Sequence, residues 1–204
     1  MGGRTFRAIM IGMGLMTLTG CSTKGQVVTL DVQAVAPGGD AAGKAMGGDT
    51  NVAVGSFEDG RPQKNQIGVR HHLFGGETPF DVAGGKPGEV VGRVMGEYLK
   101  RKGWSINPNG APDVAVSGKI LDFSADADSK LFSTEITVRT KVVVEAMNKA
   151  DGSIVRMTLN GDGSQRVFWF EPEDVQKLLS EVLTESLEKL VVNTKMEDRQ
   201  LRLK

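Results

Sequence analysis

The chain has 204 residues, 25 basic and 25 acidic side chains for a formal net charge of zero, and a single cysteine. That length supports one domain with a sizeable core. Balanced charge with no Lys/Arg block interleaved with aromatics argues against a nucleic-acid partner, and a lone cysteine excludes an intramolecular disulfide or a metal-thiolate cluster.

The first element is a targeting signal. Arg4 and Arg7 form a positive n-region, residues 8–18 an uncharged apolar run, and Leu18-Thr19-Gly20-Cys21 closes it in the pattern of a bacterial lipobox. The run falls short of the ~20 apolar residues needed to cross a bilayer. Cleavage between Gly20 and Cys21 is expected to remove residues 1–20 and leave Cys21 as the lipidated first residue. The mature chain then carries 23 basic against 25 acidic residues, a charge of −2. A diacylglyceryl group with a further acyl chain gives stable anchoring. Ser22 stands where an aspartate would, by the enterobacterial sorting rule, retain the protein at the inner membrane, so outer-membrane sorting on the periplasmic side is expected. Residues 21–26 form a short tether, reaching roughly 18 Å beyond the cysteine when extended, and 27–204 form the domain.

Along that domain, Val28, Leu30, Val32 and Ala34 alternate with polar residues, the period of a half-buried strand. A Gly/Ala-rich loop is expected over 36–50, then a strand through Val52 and Val54 that exits at a turn near Asp59-Gly60-Arg61-Pro62. Residues 58–80 read as a loop carrying His71, His72, Leu73 and Phe74. From Pro87 the period becomes helical, with Val90, Val91, Val94, Met95, Tyr98 and Leu99 on one face and Gly103 at the stop. Residues 103–106 return the chain to the sheet and 107–110 turn it. A strand from Val114 changes phase, predicting a bulge near Gly118. The alternation from Phe132 to Ala146, with Glu135, Arg139, Lys141 and Glu145 on the other face, predicts an antiparallel strand wet on one side. A turn at 148–152 precedes a returning strand from Ile154, which Gly161-Asp162-Gly163 should break before 167–170. A last helix starts at Pro172, with Leu179, Leu183 and Leu187 on its apolar stripe. These elements predict an α+β fold, a mainly antiparallel mixed sheet with two amphipathic helices packed on one face.

No catalytic constellation emerges. Adjacent His71 and His72 on a strand point to opposite faces; Asp122, Asp126 and Asp128 lack the loop glycine and terminal glutamate of a calcium loop; no Gly-x-Ser-x-Gly elbow occurs. Glu171, Glu173 and Asp174 suit a helix N-terminus. No cofactor and no metal are expected. Asp59 and Arg61 either fix their loop or join Leu73 and Phe74 in contacting a partner. Among residues 167–170, Phe168, Trp169 and Phe170 are expected to pack in the core or to meet a partner or acyl chain.

The order of these motifs resembles the YajG-type lipoprotein family: a strand after the lipobox, Val52-Ala53-Val54 leading into Asp59-Gly60-Arg61, Ile67-Gly68, Lys102-Gly103-Trp104, and a final helix running into Asp198-Arg199-Gln200-Leu201. The resemblance implies an envelope location and a fold similar to the N-terminal domain of TolB and to PelC-like envelope lipoproteins. The expected role is a non-enzymatic accessory or interaction module, held to the membrane by the lipid on Cys21 and meeting an envelope protein. The alternative is a small-ligand or lipid-binding lipoprotein with a groove between helices and sheet.

Overall fold

A computed structural model describes residues 26–35, 50–106 and 111–204. The signal segment with Gly20 and Cys21, the Gly/Ala-rich loop up to residue 49, and the turn over 107–110 lie outside the described residues.

Ten strands and two helices follow in the order β1 (Val28–Leu30), β2 (Asn51–Asp59), β3 (Gly68–His71), β4 (Glu77–Val82), α1 (Pro87–Arg101), β5 (Ser105–Ile106), β6 (Val114–Lys130), β7 (Ser133–Asn148), β8 (Ile154–Val167), α2 (Pro172–Asn193), β9 (Thr194–Glu197) and β10 (Gln200–Leu203). The spine is β6. One edge of it pairs antiparallel with β7 along nearly its full length, and β7 pairs antiparallel with β8. Its other edge is divided. Residues 114–120 take β2 in parallel, with β5 beyond it, while Ala127 and Asp128 take β3, which carries β4 and then β1. The result is the expected mixed, mainly antiparallel α+β sheet.

The period of two along β7 decides which face is covered. Ile136, Val138, Val142 and Val144 are buried beneath the helices, while Arg139 and Lys141 face water. On α1, Val91, Val94, Met95 and Leu99 bury against β2; on α2, Leu179, Leu183 and Leu187 bury against β7 and β8. Full burial of each such side chain stabilises by about 1.5–3 kcal/mol. Pro87 starts α1 and Gly103, at φ 84°, stops it, with the Trp104 amide donating to the Leu99 carbonyl. Glu171 and Asp174 close α2 with a reciprocal capping box.

Three expectations need correction. The 58–80 stretch is not one loop: it contains the β3–β4 hairpin. The phase change in β6 falls at Leu121, which the register skips between Ile120 and Asp122, and not at Gly118. Gly118 sits opposite Phe57, whose ring lies 2.5 Å from where a Cβ would be, so glycine there admits the ring. Nor do Gly161 and Gly163 break β8. A Cβ on Gly161 would lie 2.9 Å from the Val182 carbonyl oxygen, and one on Gly163 2.6 Å from Val182 Cγ2, so both let α2 approach the strand.

Residues 31–35 continue from β1 as an extended segment along the seam between the helices. The amides of Asp31, Gln33 and Val35 donate to Gln176 Oε1, Ser180 Oγ and Thr184 Oγ1, one residue per turn of α2. Arg93 and Arg101 of α1 donate to the carbonyls of Val32 and Ala34. Side chains of the two helices thus bond to both backbone edges of this segment, which pairs with no strand among the described residues. Nearby, Tyr98 and Lys102 of α1 both donate to the Glu188 carboxylate of α2, at 2.7 and 3.0 Å.

Candidate functional site

Asp59 and Arg61 occupy the gap between the two halves of the divided β6 edge. Arg61 is 5% exposed. Its Nε and Nη2 donate to the two Asp59 carboxylate oxygens at 3.0 and 2.9 Å, and its Nη1 donates to the carbonyls of Gln66 and Phe123. The Asp59 carboxylate also accepts the Arg61 amide. The Gly60 and Ala125 amides donate to the Ile120 and Ile67 carbonyls on either side, so the guanidinium splices β2 to β3 across the gap that β6 leaves between them. Hydrogen bonds from Arg61 hold the Asp59 carboxyl below its ordinary value, against the opposing effect of burial. Of the two roles the sequence allows this pair, these hydrogen bonds belong to the loop-fixing one.

Leu73 and Phe74 stand at the turn of the β3–β4 hairpin, 42% and 96% exposed. Two further turns meet them at the same end of the sheet. Leu131 and Phe132 join β6 to β7, and Phe168 and Trp169 join β8 to α2. These four are 67%, 78%, 85% and 88% exposed. The three turns surround one open cleft of about 850 Å³, floored by Arg70, Thr134 and Phe170. Phe170 alone of its aromatic run turns inward, stacking on Phe80 with ring centres 6.2 Å apart beneath the Arg70 guanidinium, 4.0 Å above its ring. Leu131 and Phe132 escape the sequence analysis because Phe132 continues the alternation of β7, yet the strand begins one residue after it.

The remaining titratable residues take separate partners. His71 lies 3.2 Å from Glu77, and His72 shares a hydrogen bond with Thr78. Asp122 faces Arg139, and Asp126 accepts the Val69 amide. Among the described residues no three His, Cys, Asp or Glu side chains converge on a point where a metal ion could sit, and no helix is long and apolar enough to cross a membrane.

No family model matches the chain, and no curated protein matches it in sequence. Among solved structures it is similar to protein XCC0632 from Xanthomonas campestris, of family DUF330, at 10% identity and a TM-score of 0.50 over 81% of this chain and 91% of that one. Looser likenesses run to lipoprotein GNA1162 from Neisseria meningitidis, at 10% identity and a TM-score of 0.36 over 71% and 99% of the chains, and to the PelC dodecamer from Paraburkholderia phytofirmans, at 14% identity and 0.32 over 69% and 88%. At such identities the likeness to XCC0632 is one of fold.

Proposed function

We propose that this protein is a lipoprotein of the bacterial envelope, held by a lipid on Cys21 to the periplasmic face of the outer membrane, and that it works without chemistry of its own as an accessory or interaction module. One observation carries the reading: an apolar run that starts after two arginines ends in Leu18-Thr19-Gly20-Cys21, with the chain's single cysteine at the acceptor position. The motif order after that cysteine supports kinship with the YajG-type family. The alternative, a carrier with its ligand between helices and sheet, is less favoured by the packing: Val91, Leu183 and Ile136 are buried where the helices meet the sheet, and Val32 and Ala34 are buried in the seam between the helices.

Metabolic labelling with palmitate tests the reading. Wild-type chain should incorporate label and Cys21→Ser none, since no other thiol can accept the diacylglyceryl group. Label retained in the Cys21→Ser protein would overturn the assignment.

A further inference from the structure

Six large apolar side chains at one end of this fold are exposed where a protein in water keeps few, and they come from three turns far apart in sequence. We propose that this end is a second membrane contact, in which Leu73, Phe74, Leu131, Phe132, Phe168 and Trp169 enter the lipid interface beside the acylated Cys21.

Strand register says where the anchor leaves the domain. β1 runs parallel to β4, with Val28 opposite Phe80 and Leu30 opposite Val82. β4 itself descends from the β3–β4 turn, where His71 faces Glu77. The chain therefore enters β1 from the end that carries Leu73 and Phe74, and Gln26 and Val27, both exposed, extend toward the turns. Ser22 to Gln26 are five residues, a reach of roughly 18 Å beyond the cysteine. A lipid attached at Cys21 thus holds this end of the sheet against the bilayer, and not the opposite end where β7 turns into β8.

The chemistry of the turns fits a bilayer. Each presents a pair of adjacent apolar residues at its apex, standing around an open cleft instead of forming a flat patch, so three separate wedges can sink between headgroups. Trp and Phe with their flanking polar backbone suit the interfacial zone, where amphipathic rings partition. Of the nearby carboxylates, Glu135 is matched by Lys130 and Arg166, and Glu77 lies against the His71 imidazole. The lipid alone anchors the chain stably, so the rim sets how the domain sits on the bilayer and not whether it stays there. The proposal rests on Cys21 lipidation for its geometry, but the insertion itself can be read independently.

The chain should be purified from host membranes, its N-terminal peptide weighed for lipid, and the protein reconstituted in phosphatidylcholine vesicles with brominated acyl chains. Trp169 is 88% exposed and the other tryptophan, Trp104, is 4% exposed, so a contact quencher reads Trp169. We expect blue-shifted, quenched emission that Trp169→Phe removes. Phe74→Ser with Phe132→Ser should weaken the quenching, while Ile154→Ser, an exposed residue at the opposite end, should not. Acylated Cys21 with unquenched, water-like Trp169 emission overturns the insertion and gives the surface to a protein partner, leaving the anchor intact. Quenched Trp169 on a chain with unmodified Cys21 upholds the insertion and overturns the lipoprotein reading.

Discussion

Arg61 is the residue on which the divided edge of β6 depends. Its guanidinium, itself 5% exposed, satisfies a carboxylate and two backbone carbonyls, and truncation would leave those acceptors unmatched. We predict that Arg61→Ala lowers unfolding free energy by about 3 kcal/mol, measured by urea denaturation; a loss under about 0.5 kcal/mol would place the splice elsewhere. Two carboxylates share a titration behaviour. Burial pushes the Glu188 carboxyl up, but hydrogen bonds from Tyr98 and Lys102 with the Lys102 charge outweigh it and hold the group below its ordinary value. Asp59 is likewise held low by Arg61. Groups with depressed folded values add stability that is complete above their unfolded values of 3.8 and 4.5 and is lost as pH falls through the folded ones. Urea midpoints should therefore drop from about pH 5 to about pH 3, and Asp59→Asn or Glu188→Gln should flatten the slope. Unchanged slopes in both variants would remove these two pairs from the acid response.

At the scale of elements, glycines set how closely helices approach the sheet. Within α1, a Cβ on Gly88 would lie 1.9 Å from the Phe57 carbonyl oxygen, whereas one on Gly96 would meet nothing within 4 Å. Gly88→Ala should destabilise by about 2 kcal/mol or more despite better helix propensity, and Gly96→Ala should stabilise by about 0.5–1 kcal/mol. Thermal melts of the two variants moving the same way would contradict this packing. The contrast also explains what was legible in the sequence. Both helices and the face of β7 follow from periodicity, because each buries one stripe or one side against a single partner. Gly161 and Gly163 read as breakers because the close approach of α2 that requires them is a tertiary fact. The bulge lies at Leu121, three residues beyond Gly118, for the same reason, since Gly118 answers to Phe57 on another strand. The β9–β10 hairpin carries no such signal. Its turn places Asp198 and Arg199 at φ 48° and 60° without a glycine to announce it. The hairpin is held instead by the buried Asn148 side chain, whose amide exchanges hydrogen bonds with the Leu201 backbone.

On the scale of the whole molecule, the candidate surface depended on register more than on motif. Leu73 and Phe74 stood out in sequence as loop residues, but only the pairing of β3 with β6 and of β7 with β8 brings them level with Phe132 and Trp169. The same register sends the N-terminal chain out at that end, so a lipid anchor and an apolar rim share one side. The buried interior, the seam filled by residues 31–35 and the charged outer face of the sheet leave that rim as the most apolar accessible region among the described residues. The central claim is the anchor itself, and the mass of the N-terminal peptide from membrane-extracted protein tests it most directly. The account predicts a mature chain that begins at Cys21 and carries a diacylglyceryl group on its sulfur; a chain that retains Met1, or begins at an unmodified Cys21, would contradict it.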